Sequence, residues 1–152
     1  MNIDLVRYVK KNKGFSLIEL MIVVLVIGII AAIAVPNLTK SKMAAHESSA
    51  ISAVRTLVTA QITFAVKSGS GDFAADLVSL QGANLIDSVL GSGTAEAYSF
   101  SLSGSGVQYT IDARPLVYGS SGIRSFFTDE SGAIRYTTAD AAATASDPGL
   151  GQ

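Results

Sequence analysis

Few side chains in this sequence are able to do chemistry. The 152-residue chain has one histidine, His46, and no cysteine. That excludes a thiol nucleophile, a disulfide framework, a Cys-based zinc site and a His-pair metal site. His46 sits between Ala45 and Glu47 in a helical stretch, and no Ser–His–acid set can be built around it. It reads as a solvated or subunit-contact residue. The glycines of Ser103–Gly106 lack a strand–GxGxxG–helix context, so no dinucleotide site is read there. Asp129, Glu130, Asp140 and Asp147 are the available hard oxygen ligands for calcium. Their spacing fits no loop template, and Asp129-Glu130 is more simply a turn. Arg114, Arg124 and Arg135 are too few and scattered for a nucleic-acid surface, and a hairpin there would allow Arg124 and Arg135 to face each other. No catalytic set emerges, and no cofactor, specific nucleic acid or small-molecule ligand is expected.

One carboxylate breaks the pattern around it. From Phe15 to Val35 the chain reads FSLIELMIVVLVIGIIAAIAV, and Ser16 and Glu19 are the only polar side chains in it. Twenty-one helical residues span roughly 31 Å, enough to cross a hydrocarbon core of about 30 Å. A charge near the centre of a spanning helix costs roughly 3 kcal/mol. Glu19 lies toward the near end, where the cost is smaller, and snorkelling to the headgroups would suffice to place it. The sharper expectation is that it awaits a cationic partner. Before the run, Arg7, Lys10, Lys11 and Lys13 face a single acid, Asp4, which keeps this end cytoplasmic and sends the rest of the chain across the membrane. The run is too long for an ordinary secretory signal.

Lys13-Gly14-Phe15-Ser16-Leu17-Ile18-Glu19-Leu20 resembles the class III signal of type IV pilins and type II secretion pseudopilins. The match is close from Lys11 to about Asn37 and includes Pro36. The resemblance implies a membrane-embedded prepilin peptidase that cuts between Gly14 and Phe15 and N-methylates Phe15. It implies that the Phe15 amine and Glu19 of a neighbouring subunit neutralise each other in a filament core. A buried ion pair adds little net stability, but losing one partner costs several kcal/mol, so such a pair sets register. Gly14 lets the protease approach the backbone closely. Pro36 lacks an N–H and predicts a kink, and the stretch from Gly28 to Pro36 is expected to bend or melt on assembly, as in that family.

These residues need a scaffold. Past Pro36 the helical signal resumes, with Ile51, Val54, Val58, Ile62 and Ala65 forming an apolar stripe that Leu57 and Phe64 widen. One bent helix is expected from Phe15 to about Lys67, ended by Ser68-Gly69-Ser70-Gly71. Asp72 is expected to cap a short helix, and Asn84–Leu90 to form another turn or two. Tyr98–Leu102 and Val107–Ile111 alternate as a hairpin, followed by a second from Ile123–Thr128 and Ala133–Thr138. The fold class expected is α+β: a long bent N-terminal helix packed against a head of about four antiparallel strands, the ladle shape of pilins. The head resembles major pilins and pseudopilins more loosely, through Tyr98-x-Phe100, Ala113-Arg114-Pro115 and the run from Gly122 to Gly132.

Composition fits this division. Hydrophobic residues make up 49% and charged residues 15%, below the roughly 25% of soluble domains. The net charge of −1 excludes a strongly basic binder, and the hydrophobicity excludes intrinsic disorder. The expected segments are a basic leader at 1–14, a membrane and assembly helix at 15–36, its amphipathic continuation at 37–67, a head at 68–138 and a flexible tail at 139–152. The expected function is a non-enzymatic structural subunit, polymerised from the bacterial inner membrane by an ATPase-driven platform into a helical homo-oligomeric filament outside it. The alternatives are a periplasmic pseudopilus subunit for protein export and a minor tip-located binding subunit. The lack of a disulfide leans toward the pseudopilin, and the lack of recognisable calcium ligands leans back.

Overall fold

The computed structural model describes residues 14–68 and 70–151. Leader residues 1–13, Lys13 among them, lie outside the described residues. The chain divides into two compact units, residues 1–37 and 38–152. Helix α1 (Leu17–Ser68) contributes its first part to one and the remainder to the other.

In the first unit the helix begins where the Ser16 carbonyl accepts the Leu20 N–H at 3.2 Å. Glu19 lies in the first turn, where a negative charge favours the positive end of the helix dipole. The residues that follow are mostly Leu, Ile, Val and Met, and helical backbone continues through Pro36. Pro36 has no N–H to offer the carbonyl of Ala32.

The second unit is α+β. Helices α2 (Leu77–Gly82) and α3 (Ser88–Gly91) precede five strands: β1 (Thr94–Ala95), β2 (Tyr98–Ser105), β3 (Gln108–Pro115), β4 (Ser125–Asp129) and β5 (Arg135–Thr137). The sheet is an antiparallel meander in the order β1-β2-β3-β4-β5. Period-two alternation buries Tyr98, Phe100 and Leu102 of β2 and Tyr109, Ile111 and Ala113 of β3. These join Ala50, Val54 and Leu57 of α1, Leu80 of α2 and Phe126 of β4 in one hydrophobic cluster. Each large side chain so buried contributes about 2 kcal/mol of transfer free energy.

Several expectations are corrected. The sheet has five strands because β1 pairs with β2 through a two-residue turn, Glu96-Ala97, with φ of 48° and 65°. Such turns normally announce themselves by Asn or Gly, and here neither is present. The caps fall later than expected: Asp76, not Asp72, caps α2 by accepting from Ser79 N at 2.8 Å. Asp87 caps α3 through Leu90 N at 2.8 Å. The buried stripe of α1 is Glu47, Ala50, Val54, Leu57, Ala60 and Gln61, whereas Ile62 is 54% exposed. Gln61 takes an apolar position because its amide pairs with backbone, accepting from Ala74 N at 2.8 Å and donating to Ala74 O at 3.0 Å. Arg124 and Arg135 do not face each other, since register sets Arg135 opposite Phe127. The tail expected to hang loosely is tied back: Leu150 N donates to Ile134 O at 2.7 Å, Tyr136 N to Pro148 O at 3.1 Å and Arg135 Nη1 to Asp147 O at 3.0 Å. Ala143 within it is 3% exposed.

Candidate functional site

Two sites emerge, one in each unit. At the N-terminal end, Gly14, Phe15 and Glu19 follow each other within a turn and a half of chain. Gly14 is exposed, and a Cβ added there would meet nothing within 4 Å. Phe15 is 84% exposed. Of the residues from Gly14 to Lys42, none is buried. α1 is the one helix among the described residues long and apolar enough to cross a membrane, and its apolar window is entirely unburied. Leu17, Ile18, Leu20 and their successors to Val35 thus present a continuous apolar surface, far beyond the few hundred Å² that soluble monomers leave open. Glu19 is the sole carboxylate in it, and among the described residues it makes no ion pair. Gly28 and Pro36 lie further along the same helix and are not brought to Glu19 by folding.

The head site was not foreseen from sequence. Glu47 is 5% exposed on α1. Its Oε1 accepts from Ile123 N at 2.9 Å, and its Oε2 accepts from Arg124 Nε at 2.7 Å. A charge this deeply buried persists only when paired and hydrogen-bonded, and both conditions hold. The Arg124 guanidinium lies 5.8 Å from the Phe126 ring centroid and 5.6 Å from that of Tyr136. Tyr98, fully buried, donates its hydroxyl to Arg124 O at 2.8 Å. Burial first, and then the negative charge of Glu47, push the Tyr98 hydroxyl well above the usual phenol range, against the opposing pull of Arg124. It stays a donor at any physiological pH. Gly122 completes the cluster, since an added Cβ would overlap the Tyr98 hydroxyl and press the Glu47 stem. One signal pointed here: Glu47 is the only acid between Glu19 and Asp72, and it lies three and seven residues before Ala50 and Val54, on the core side of the helix.

The four calcium candidates are not assembled. Asp129 accepts from Ser131 N at 3.0 Å within a turn, Asp147 accepts from Thr144 N at 2.6 Å, and Asp140 lies 3.9 Å from Arg114. Glu130 points from the β4–β5 turn and is exposed. Among the described residues no group of three or more His, Asp or Glu is placed to hold a metal ion. His46 is half-buried beside Glu47.

Comparison with known proteins bears on the first of these sites. Residues 9–35 match the family model of the prokaryotic N-terminal methylation motif. The type IV major pilin protein PilA of Myxococcus xanthus (strain DK1622) is 46% identical over 72 residues, 47% of this chain and 33% of that protein. The type II secretion system core protein G of Escherichia coli (strain K12) is 41% identical over 46 residues, 30% of this chain and 32% of that protein. A fimbrial protein of Pseudomonas aeruginosa is 51% identical over 51 residues, 34% of this chain and 33% of that protein. The chain thus spans about a third of the length of the curated relatives it matches. No solved structure matches it. With Gly14, Phe15 and Glu19 all inside residues 9–35, the chain carries a prokaryotic N-terminal methylation motif, and over part of its length it is similar to a type IV major pilin, a fimbrial protein and a type II secretion system core protein.

Proposed function

We propose that this chain is the structural subunit of a type IV pilus. Prepilin peptidase removes the basic leader after Gly14 and methylates the amine of Phe15. The subunit rests in the bacterial inner membrane through residues 15–36 with its N-terminus cytoplasmic. An ATPase-driven platform then draws it into a helical filament outside that membrane, serving adhesion, motility or DNA uptake. It acts by assembly and not by turnover of a substrate.

The observation that carries this is the exposed apolar helix with one carboxylate, Glu19, four residues after Phe15 and without an ion pair among the described residues. Lipid covers that surface first, and other subunits cover it later. The positive amine of Phe15 in one copy and Glu19 of its neighbour compensate each other in the dry filament core. Gly28 and Pro36 mark the stretch of α1 that yields as subunits are packed. Similarity to a type II secretion core protein favours a second reading, the periplasmic pseudopilus of a secretion system.

Fibres sheared from producing cells, examined by electron microscopy and by mass spectrometry of their subunit, provide the test. The expected subunit begins at methylated Phe15. Fibres without this chain, or a chain that keeps residues 1–14, would overturn the proposal. Deletion of the gene separates the two filaments: loss of surface fibres marks the pilus, and loss of protein export with fibres intact marks the pseudopilus.

A further inference from the structure

Charge is divided unevenly within residues 38–151. There α1 carries four cations, Lys40, Lys42, Arg55 and Lys67, and one acid, Glu47. Glu47 is buried and committed to Arg124. All four cations are exposed, and among the described residues none makes an ion pair. The rest of the unit holds three arginines against nine carboxylates. Each arginine is engaged: Arg114 with Asp140, Arg124 with Glu47 and Arg135 with the Asp147 carbonyl. Within this unit, cations without an ion pair therefore lie on the helix, and carboxylates without one lie outside it.

The acid-rich part includes a surface cavity. A cavity of about 370 Å³ opens where the far ends of β2 and β3 meet the β4–β5 turn, lined among others by Ser103, Gln108, Thr110, Phe127, Asp129 and Glu130. No cation contributes to its lining. Among the described residues, the side chains of Ser103, Gln108, Thr110 and Glu130 make no hydrogen bond, and Asp129 uses one oxygen toward Ser131. Two carboxylates, two hydroxyls and an amide oxygen, all acceptors, suit an ammonium or guanidinium group.

We propose that one exposed cation of α1, among Lys40, Lys42, Arg55 and Lys67, docks in this carboxylate-lined cavity of a second copy. The inference rests on the filament reading and names a head-to-head contact within it. The two surfaces differ, so every copy both gives and receives, and such a heterologous contact propagates without closing. Opposed charges at an exposed contact steer and orient subunits as they meet, an effect that salt screens.

Charge exchange tests it in cells that assemble the full chain, with sheared-fibre yield measured relative to the pool of mature subunit. Glu130→Lys is combined in turn with Lys40→Glu, Lys42→Glu, Arg55→Glu and Lys67→Glu. Glu130→Lys alone should lower yield about tenfold, as should at least one helix reversal, and joining those two changes should restore yield to within about threefold of the wild type. Unchanged yield in Glu130→Lys, or a loss that no helix reversal restores, overturns the proposal. Should Glu130→Lys deplete the mature pool itself, Glu130→Gln is read in its place: an about threefold loss supports the contact, and a normal yield overturns it. Wild-type cells without fibres of this chain would remove the filament reading and this contact together, whereas wild-type fibres with indifferent variants remove the contact alone.

Discussion

The two units of this chain solve the burial of apolar surface in opposite ways. Residues 38–151 turn it inward: Val54, Leu57, Ile111 and Phe126 are fully buried in one cluster. Residues 17–35 leave it outward, with Ile18, Val24, Ile30 and Ile33 all about 60% exposed. The same residue types therefore use their driving force within the molecule in one case and leave it unused at the surface in the other. Polar exceptions follow the same division. Glu47 has its partner inside the head, and Glu19 has none among the described residues.

This contrast is open to attack at four points. The largest effect belongs to Glu19→Ala. It should still be cleaved and inserted, and urea unfolding of the detergent-solubilised chain should be unaltered in the head, yet fibres should form poorly or not at all. Normal fibre yield would break the contrast, because Glu19 would then need no partner.

In the head, Arg124→Ala should cost about 3 kcal/mol, because it strands the Glu47 carboxylate in the interior. Glu47→Ala should cost less, about 2 kcal/mol, since Arg124, 34% exposed, can turn to water while Ile123 N–H loses its acceptor. The reverse order in urea midpoints would mean that the ion is held by Arg124 less than by its surroundings. Gly122→Ala should follow at about 2 kcal/mol, by overpacking against Tyr98 and Glu47, and should leave the cleavage of Gly14–Phe15 untouched.

The smallest effect concerns Asp76. Hydrogen bonds from the Ser79 hydroxyl and backbone hold its carboxyl below the usual range. A carboxyl lowered by folding adds stability above its unfolded value and loses it as pH falls through the folded one. Asp76→Asn keeps the cap and removes the charge, so it should be slightly less stable at pH 6, with the gap closing below the ordinary carboxylate value. A gap that persists unchanged to pH 2 would assign the effect to shape and not to charge.

The two halves were also unequally legible. Gly14, Phe15, Glu19 and Pro36 form a linear pattern whose meaning lies in neighbours along the chain, so the sequence displays it whole. The helix and both hairpins were legible for the same reason, through period 3.6 and period 2. The Glu47 cluster was not, because its members lie 76 and 77 residues apart and an acid on a helix ordinarily signals solvent. Gln61 escaped likewise: its core position is explained only by the Ala74 backbone thirteen residues on. The β1–β2 turn escaped because Glu96 and Ala97 adopt a left-handed conformation that nothing in their side chains advertises.

The position of Glu47 has a mechanical consequence. It is the first buried residue of α1 on entering the head, ahead of Ala50 and Val54. A pull along the helix from its N-terminal side reaches the Ile123 and Arg124 bonds before it reaches any fully buried apolar residue. Those bonds tie the helix directly to the start of β4, so tension is handed to the sheet at its entrance, and the greasy core behind it is loaded last.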